Sequence, residues 1–334
     1  MSLGIEENIG LFLIAGIIIW IASNRLSAVV EYIDQQFNLG DAFGGTIMLA
    51  IATNLPETVI VIRGVQQGDN SLALGNILGG IALQTLLLVL FDFASRKEKA
   101  PLSTLTYHRN SILQGLFLCI ILGLVIMGAQ FQPHFVDYPI SPIELLIAFS
   151  WLFSLYLLKQ GEKSKMIPKI EDKTKHHLNT SQEKALWELL GLAILITFFG
   201  VILANTSEGI SQHFGIDGVI FGATILSLVT SLPEISGGLA FVKAKKHTPI
   251  ISDIFGGNSF LPTLFLLANI LAGRSIMVDA HKTDIYLVGL SIILTLLFIV
   301  GMLMQSPKRF RKLGLESWAM LIVYFLAIIG LLAV

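Results

Sequence analysis

Apolar stretches of bilayer length recur from one end of this sequence to the other, and a helix needs about 20 such residues to cross a membrane. Ten are readable, near 10–30, 43–64, 72–94, 112–131, 140–158, 186–206, 217–242, 250–272, 283–305 and 317–333. In lipid every backbone polar group must be satisfied within a helix or a closed barrel, and stretches this long are helical. The expected fold class is therefore an all-α membrane protein of ten transmembrane helices. A water-soluble core is excluded, because only 13% of the 334 residues are charged against about 25% in a soluble domain. A formal net charge of −1 gives no case for nucleic acid as a partner. Cys119 lies within an apolar run and can form neither an internal disulfide nor a metal cluster. Met1 to Glu7 carries two acids and no base, so no secretory signal is expected.

The basic residues are sorted along the chain. Nineteen of the 22 lysines and arginines fall at or in the odd-numbered connections, and only Arg63, Arg274 and Lys282 in the even ones. The positive-inside rule makes the odd connections cytoplasmic and both termini extracytoplasmic, as in a multi-pass protein of the cell (inner) membrane. The one sizeable connection is lysine-rich, polar and without apolar periodicity. The expected division is 1–159, a cytoplasmic linker at 160–185, and 186–334.

Sliding the sequence on itself by 177 positions brings Glu31–Phe37 over Glu208–Phe214 with four identities in seven. The same register places Gly45 on Gly222, Thr53-Asn54-Leu55-Pro56-Glu57 on Thr230-Ser231-Leu232-Pro233-Glu234, Asn76 on Asp253, and Gly79-Gly80 on Gly256-Gly257. One register held over fifty residues marks a duplication. Each repeat holds five spans, an odd number, so the two are expected to lie in inverted topology, the arrangement in which transporters place their ion site at the midplane.

Glu57 and Glu234 lie deep within their spans. A charge there costs at least about 2.5 kcal/mol, and no Lys or Arg stands inside these spans to pair with it. Asn76 and Asp253 each follow 19 positions later, where they can converge on the glutamates. Pro56 and Pro233 lack the N–H that would bond the carbonyls of Ala52 and Val229, freeing two acceptors. Thr53 and Thr230 stand four residues before the glutamates and Asn54 and Ser231 three before, on the same helical face. Carboxylates, hydroxyls, an amide and freed carbonyls make an all-oxygen cage, and calcium takes 6–8 such ligands. The seven histidines lie in connections or near span ends, which argues against a soft metal. The paired glycines read either as close packing or as helix breaks beside the ion. Glu31 and Glu208 lie toward span ends, where a solvated or ion-entrance role is expected.

At these residues the chain resembles the calcium/cation antiporter superfamily, whose two repeats carry a Thr-Ser-Leu-Pro-Glu core followed by Gly-Asn and Gly-Ser-Asn segments. Here the second segments read Gly75-Asn76-Ile77-Leu78-Gly79-Gly80 and Ser252-Asp253-Ile254-Phe255-Gly256-Gly257-Asn258. The resemblance implies that Glu57 and Glu234 hold Ca2+ with Thr53 and Thr230, while Asn54, Ser231, Asn76 and Asp253 complete neighbouring sodium or proton sites. It implies a transporter rather than an enzyme, with Ca2+ and Na+ or H+ as substrates, the lipid bilayer as its surroundings, no cofactor and no obligate protein partner. Leu72 and Pro249 stand where sodium-coupled members tend to carry serine. Asn54 is similar to the Gly-Asn-Ala-x-Glu core of proton/calcium antiporters, whereas Ser231 is similar to the sodium type. The first reading is Ca2+/Na+ exchange by alternating access, and the second is H+/Ca2+ antiport on the same fold. A calcium channel would conduct without a counter-ion.

Overall fold

The computed structural model describes residues 4–37, 48, 50–130, 140–163 and 182–332. Its long elements are α1 (Ile5–Phe37), α2 (Leu55–Gln67), α3 (Asn70–Ala94), α4 (Arg109–Ala129), α5 (Pro142–Lys163), α6 (Gln182–Phe214), α7 (Gly218–Thr230), α8 (Leu232–Lys243), α9 (Thr248–Ala272, with a 3-10 turn at Leu261–Thr263), α10 (Lys282–Met304) and α11 (Leu315–Leu332). No strand occurs among the described residues. Seven of these helices are long and apolar enough to cross a membrane; α7 and α8, bent by 47° at Ser231, make an eighth if counted as one span, and α11 is apolar but shorter. The start of the second expected span (43–47) and most of the expected linker (164–181) lie outside the described residues. Residues 50–53 are helical and lead through Asn54 into α2.

Burial ranks the helices. Over its apolar window α3 is 72% buried and α9 61%, whereas α6 is 17% buried. The central pair owes its closeness to residues without side chains. A Cβ at Gly75 would lie 2.7 Å from the Val219 backbone, and one at Gly79 would overlap Ala223, so α3 packs backbone to backbone against α7. At the periphery, α6 turns Trp187, Ile194 and Phe198 outward, and α11 turns Phe325, Leu326 and Ile329 outward. Such faces would be a liability in water and are the natural surface toward acyl chains.

Two buried polar knots tie the halves together. At the end of α3, Asp92 is fully buried and accepts from Arg309 Nη1 (2.9 Å), Leu102 N (2.8 Å), Gly314 N (2.7 Å) and Ser317 Oγ (2.8 Å). Arg309 also donates to the carbonyls of Ser95, Ala100 and Lys312. Near the end of α9, Asn269 stands 177 positions after Asp92; it donates to Glu144 Oε1 of α5 (2.6 Å) and accepts from Ile276 N (2.8 Å). The first knot thus joins α3 to α11, and the second joins α9 to α5.

Replacing one partner of a buried charge pair leaves the other uncompensated, at about 3 kcal/mol or more. Arg309→Met is therefore expected to lower the thermal midpoint of the detergent-purified protein substantially. Adding Asp92→Asn should recover part of the loss, a coupling of at least about 0.5 kcal/mol; strict additivity in a double-mutant cycle would contradict the knot.

Candidate functional site

Two half-helices begin in the middle of the bundle, and local sequence dictates both starts. Pro56 and Pro233 occupy the first turns of α2 and α8, where a missing N–H costs nothing. The residue before each start takes a bridge-region backbone, φ −96°, ψ 20° at Asn54 and φ −84°, ψ 5° at Ser231. Glu57 and Glu234 fall in the first turns that follow. The positive ends of two helix dipoles are thereby brought to the centre beside the two carboxylates.

The carboxylates are sealed from solvent, with Glu57 1% and Glu234 6% exposed. Glu57 and Asp253 both lie within electrostatic reach of Glu234, and the Thr230 hydroxyl faces the Glu57 carboxyl. That hydroxyl makes its hydrogen bond to Ser227 O (3.2 Å) and not to the acid. Asn54, Asn76 and Ser231 are buried, and Thr53 and Asp253 half-buried. Glu57, Glu234, Thr230, Asn54, Ser231 and Asn76 therefore share the interior, while Asp253 stands at its edge. Glu31 is exposed and Glu208, which accepts from Gln212, is half-buried; neither belongs to the centre.

The hydrogen-bonding pattern gives the site its chemistry. Two donors here are spent on one backbone carbonyl: Asn54 Nδ2 and Thr53 Oγ1 both donate to Ala50 O, at 2.8 Å and 3.3 Å. Acceptors are left over. Twelve buried side-chain nitrogen or oxygen atoms among the described residues have no hydrogen-bond partner, and seven of them belong to Asn54, Glu57, Asn76, Ser231 and Glu234. An unmatched buried polar atom costs about 1–3 kcal/mol, so this concentration is not what packing alone would select. Six of the seven are oxygens, a set suited to a hard cation. Among the described residues no group of three or more His, Cys, Asp or Glu side chains gathers closely enough to hold a metal. The arrangement is two carboxylates supplemented by neutral oxygens, not the tight carboxylate triad that adding Asp253 would have made.

The paired glycines do not break their helices, which run on through 79–80 and 256–257. The break-beside-the-ion alternative is thereby set aside. Gly79 closes α3 on α7, whereas a Cβ at Gly257 would meet the Asn54 amide at 3.5 Å, so Gly257 leaves room for that side chain. The irregular backbone lies elsewhere. Gly222–Leu226 form a π turn, and Ser227 Oγ donates to Gly222 O across it; such turns cluster at functional sites.

Asn258 closes the second motif segment. It is fully buried, its Nδ2 donates to Ile81 O (3.3 Å) and Thr85 Oγ1 (3.1 Å), and its Oδ1 has no partner. Positions 81 and 258 differ by 177, so equivalent points of the two repeats touch where α3 crosses α9. The register alone could have marked this pair, because the two positions are equivalent in it.

Known proteins agree with this architecture. The putative antiporter CaxA of Alkalimonas amylolytica is 24% identical over 254 residues, 75% of this chain and 76% of its own. The crystal structure of the H+/Ca2+ exchanger CAX superposes with a TM-score of 0.64 at 17% identity, covering 98% of this chain and 87% of that one. The sodium-calcium exchanger NCX_Mj does so with a TM-score of 0.59 at 18% identity, covering 98% and 99%. At these identities the two structures establish a shared fold and not a shared ion. Residues 7–161 and 184–333, nearly the whole of both halves, match the family described as sodium/calcium exchanger protein, and the chain, an integral membrane protein, belongs to that family.

Proposed function

We propose that this protein is a secondary active transporter that exchanges Ca2+ for Na+ across the cell (inner) membrane by alternating access. On this reading the chain forms ten transmembrane helices in two inverted five-helix repeats, 1–159 and 186–334, with a cytoplasmic linker at 160–185 and both termini extracytoplasmic. The contact between positions 81 and 258 supports the pseudo-twofold relation. One observation carries the function: two buried carboxylates, Glu57 and Glu234, face one interior lined with unpartnered oxygens. Glu57 and Glu234 hold Ca2+, assisted by Thr53 and Thr230, and Asn54, Ser231, Asn76 and Asp253 serve the counter-ion. No residue is assigned to catalysis of a covalent step.

Exchange follows from charge. Emptied of cations, the closed site would hold uncompensated carboxylates out of water, at several kcal/mol per ion, so it cannot close and reopen unloaded. Loaded with one divalent or several monovalent cations it can. Influx of one ion is thereby tied to efflux of the other.

A specific observation favours the second reading, H+/Ca2+ antiport. Leu72 is fully buried where a sodium-ligating serine would be expected, and Pro249 at the equivalent position carries no hydroxyl either. Protons need no such ligand, since carboxylates themselves take them up.

Glu57→Gln and Glu234→Gln should each reduce calcium uptake into proteoliposomes by a factor of at least ~100, the size expected when a buried charge partner worth about 3 kcal/mol is lost; uptake near the wild-type rate would refute the site. In inverted membrane vesicles a sodium gradient at fixed pH should drive calcium uptake, and a pH gradient without sodium should not. The reverse outcome would establish the proton-coupled reading.

A further inference from the structure

The α1–α6 pair touches the rest of the bundle through a distinctive sequence of contacts. The two helices run antiparallel, with Arg25 of α1 paired to Glu188 of α6 (2.5 Å) toward one end and Gly209 of α6 beside Asn8 of α1 toward the other. At the level of the polar centre the pair presents glycines. A Cβ at Gly16 would lie 2.5 Å from Val229 Cγ1, next to Thr230, and a Cβ at Gly200 would lie 2.7 Å from Val59 Cγ1, two residues beyond Glu57. In the antiparallel register Gly16 and Gly200 are neighbours. They form a bearing without side chains, pressed on the two half-sites.

A polar contact flanks this bearing on each side. On one, Ser236 of α8, two residues after Glu234, accepts from Trp20 Nε1 (3.1 Å), and its single hydroxyl proton has Asn24 Oδ1 (2.7 Å) and Pro233 O of its own helix (2.9 Å) as acceptors. Asn24 Nδ2 is tied to Trp20 O (2.9 Å), which fixes that amide with its oxygen toward Ser236. On the other side, Arg63 Nε (3.0 Å) and Gln67 Nε2 (3.1 Å) of α2 both donate to Asn205 Oδ1 of α6. Asn205 lies level with about residue 10 of α1, so the two contacts stand roughly 15–21 Å apart along the pair at 1.5 Å per residue.

We propose that these contacts are two detents that hold the α1–α6 pair in register over the ion site, and that a change of access requires at least one of them to break. The proposal rests on the alternating-access reading above, and it takes the α1–α6 pair as the moving element because that pair meets the other helices at two glycines and these polar contacts. The glycine bearing offers little resistance to sliding, whereas side-chain hydrogen bonds near 3 Å do not survive displacement by a helical turn of about 5.4 Å. A single neutral hydrogen bond biases a two-state equilibrium by a factor of about 2–10, and the charged donor makes the Asn205 contact the stronger of the two. Both contacts act through helices that carry a glutamate without touching either carboxylate. Their residues are positioning residues, and both bias the same equilibrium because both contacts exist in one conformation.

The test uses the full chain reconstituted in proteoliposomes of defined orientation. Ser236→Ala and Asn205→Ala should each shift the half-saturating calcium concentration in the same sense, upward from one face and downward from the other, by about 2–10-fold for Ser236→Ala and by a larger factor for Asn205→Ala, because both contacts hold the same conformation. Shifts of opposite sense in the two variants, or no shift in either, would overturn the proposal. Hydrogen–deuterium exchange separates a failure of the detents from a failure of the transport assignment. If wild type carries no calcium, the assignment fails, and the detents are then judged on exchange alone. Each alanine variant must raise exchange along both α1 and α6, because the pair moves as a unit. Loosening confined to the substituted contact, or no change, would overturn them.

Discussion

A carboxylate withdrawn from water inside a helix bundle has to be matched by something, and the arrangement around Glu57 and Glu234 is organised by that requirement. Among the described residues no lysine or arginine pairs with these acids, and protein donors near them are turned onto their own helices at Ala50 and Ser227. What remains at the centre is negative charge and lone pairs, offset in part by the positive ends of α2 and α8. A soluble enzyme could keep such a group wet. In a bundle whose outer faces are apolar, the charge must be compensated by an ion that can enter, and a site that is stable only when filled is by the same token a site that exchanges.

The surrounding structure serves to bring the half-helices together and keep them there. Backbone contact between α3 and α7 through Gly75 and Gly79 places Asn76 beside the π turn that precedes Ser231. The Asp92–Arg309 and Glu144–Asn269 knots hold the central helices to the terminal helices of the opposite half. The long α1–α6 pair meets this frame at two glycine crossings and a few polar bonds. Contacts of the first kind resist displacement because backbones have no softer arrangement. Contacts of the second kind can be remade one residue further on.

Much of this was legible in the amino-acid sequence because the strongest signals are periodic. Apolar stretches announce helices wherever the solvent is lipid, and a 177-residue register survives as identities at Thr53, Pro56 and Glu57 against Thr230, Pro233 and Glu234. Proline fixes where a helix must restart, so the breaks at Asn54 and Ser231 were readable too. The knots were not. Asp92 looks like a polar residue at a span end, and Arg309 counts only as one more cytoplasmic charge, until folding brings residues more than 200 positions apart within 3 Å. The glycine pairs were ambiguous for a related reason: absence of a side chain says that something comes close without saying whether it is a helix or an ion.

The inequality of the two halves bears on what the site can carry. The register sets the amide of Asn76 opposite the carboxylate of Asp253, and the fold treats them differently: Asn76 is fully enclosed, whereas Asp253 keeps part of its surface accessible. The two enclosed glutamates have to be matched before the bundle can close. Their combined charge is that of one divalent cation reversed. On the proposed reading this makes calcium the natural occupant of the enclosed centre, and it leaves the third acid, at the margin, to take up a counter-ion whose binding need not be simultaneous. Discrimination between sodium and protons is then to be sought at the margin, where Asp253 and Pro249 differ from Asn76 and Leu72, rather than in the Pro-Glu pairs that the two halves share.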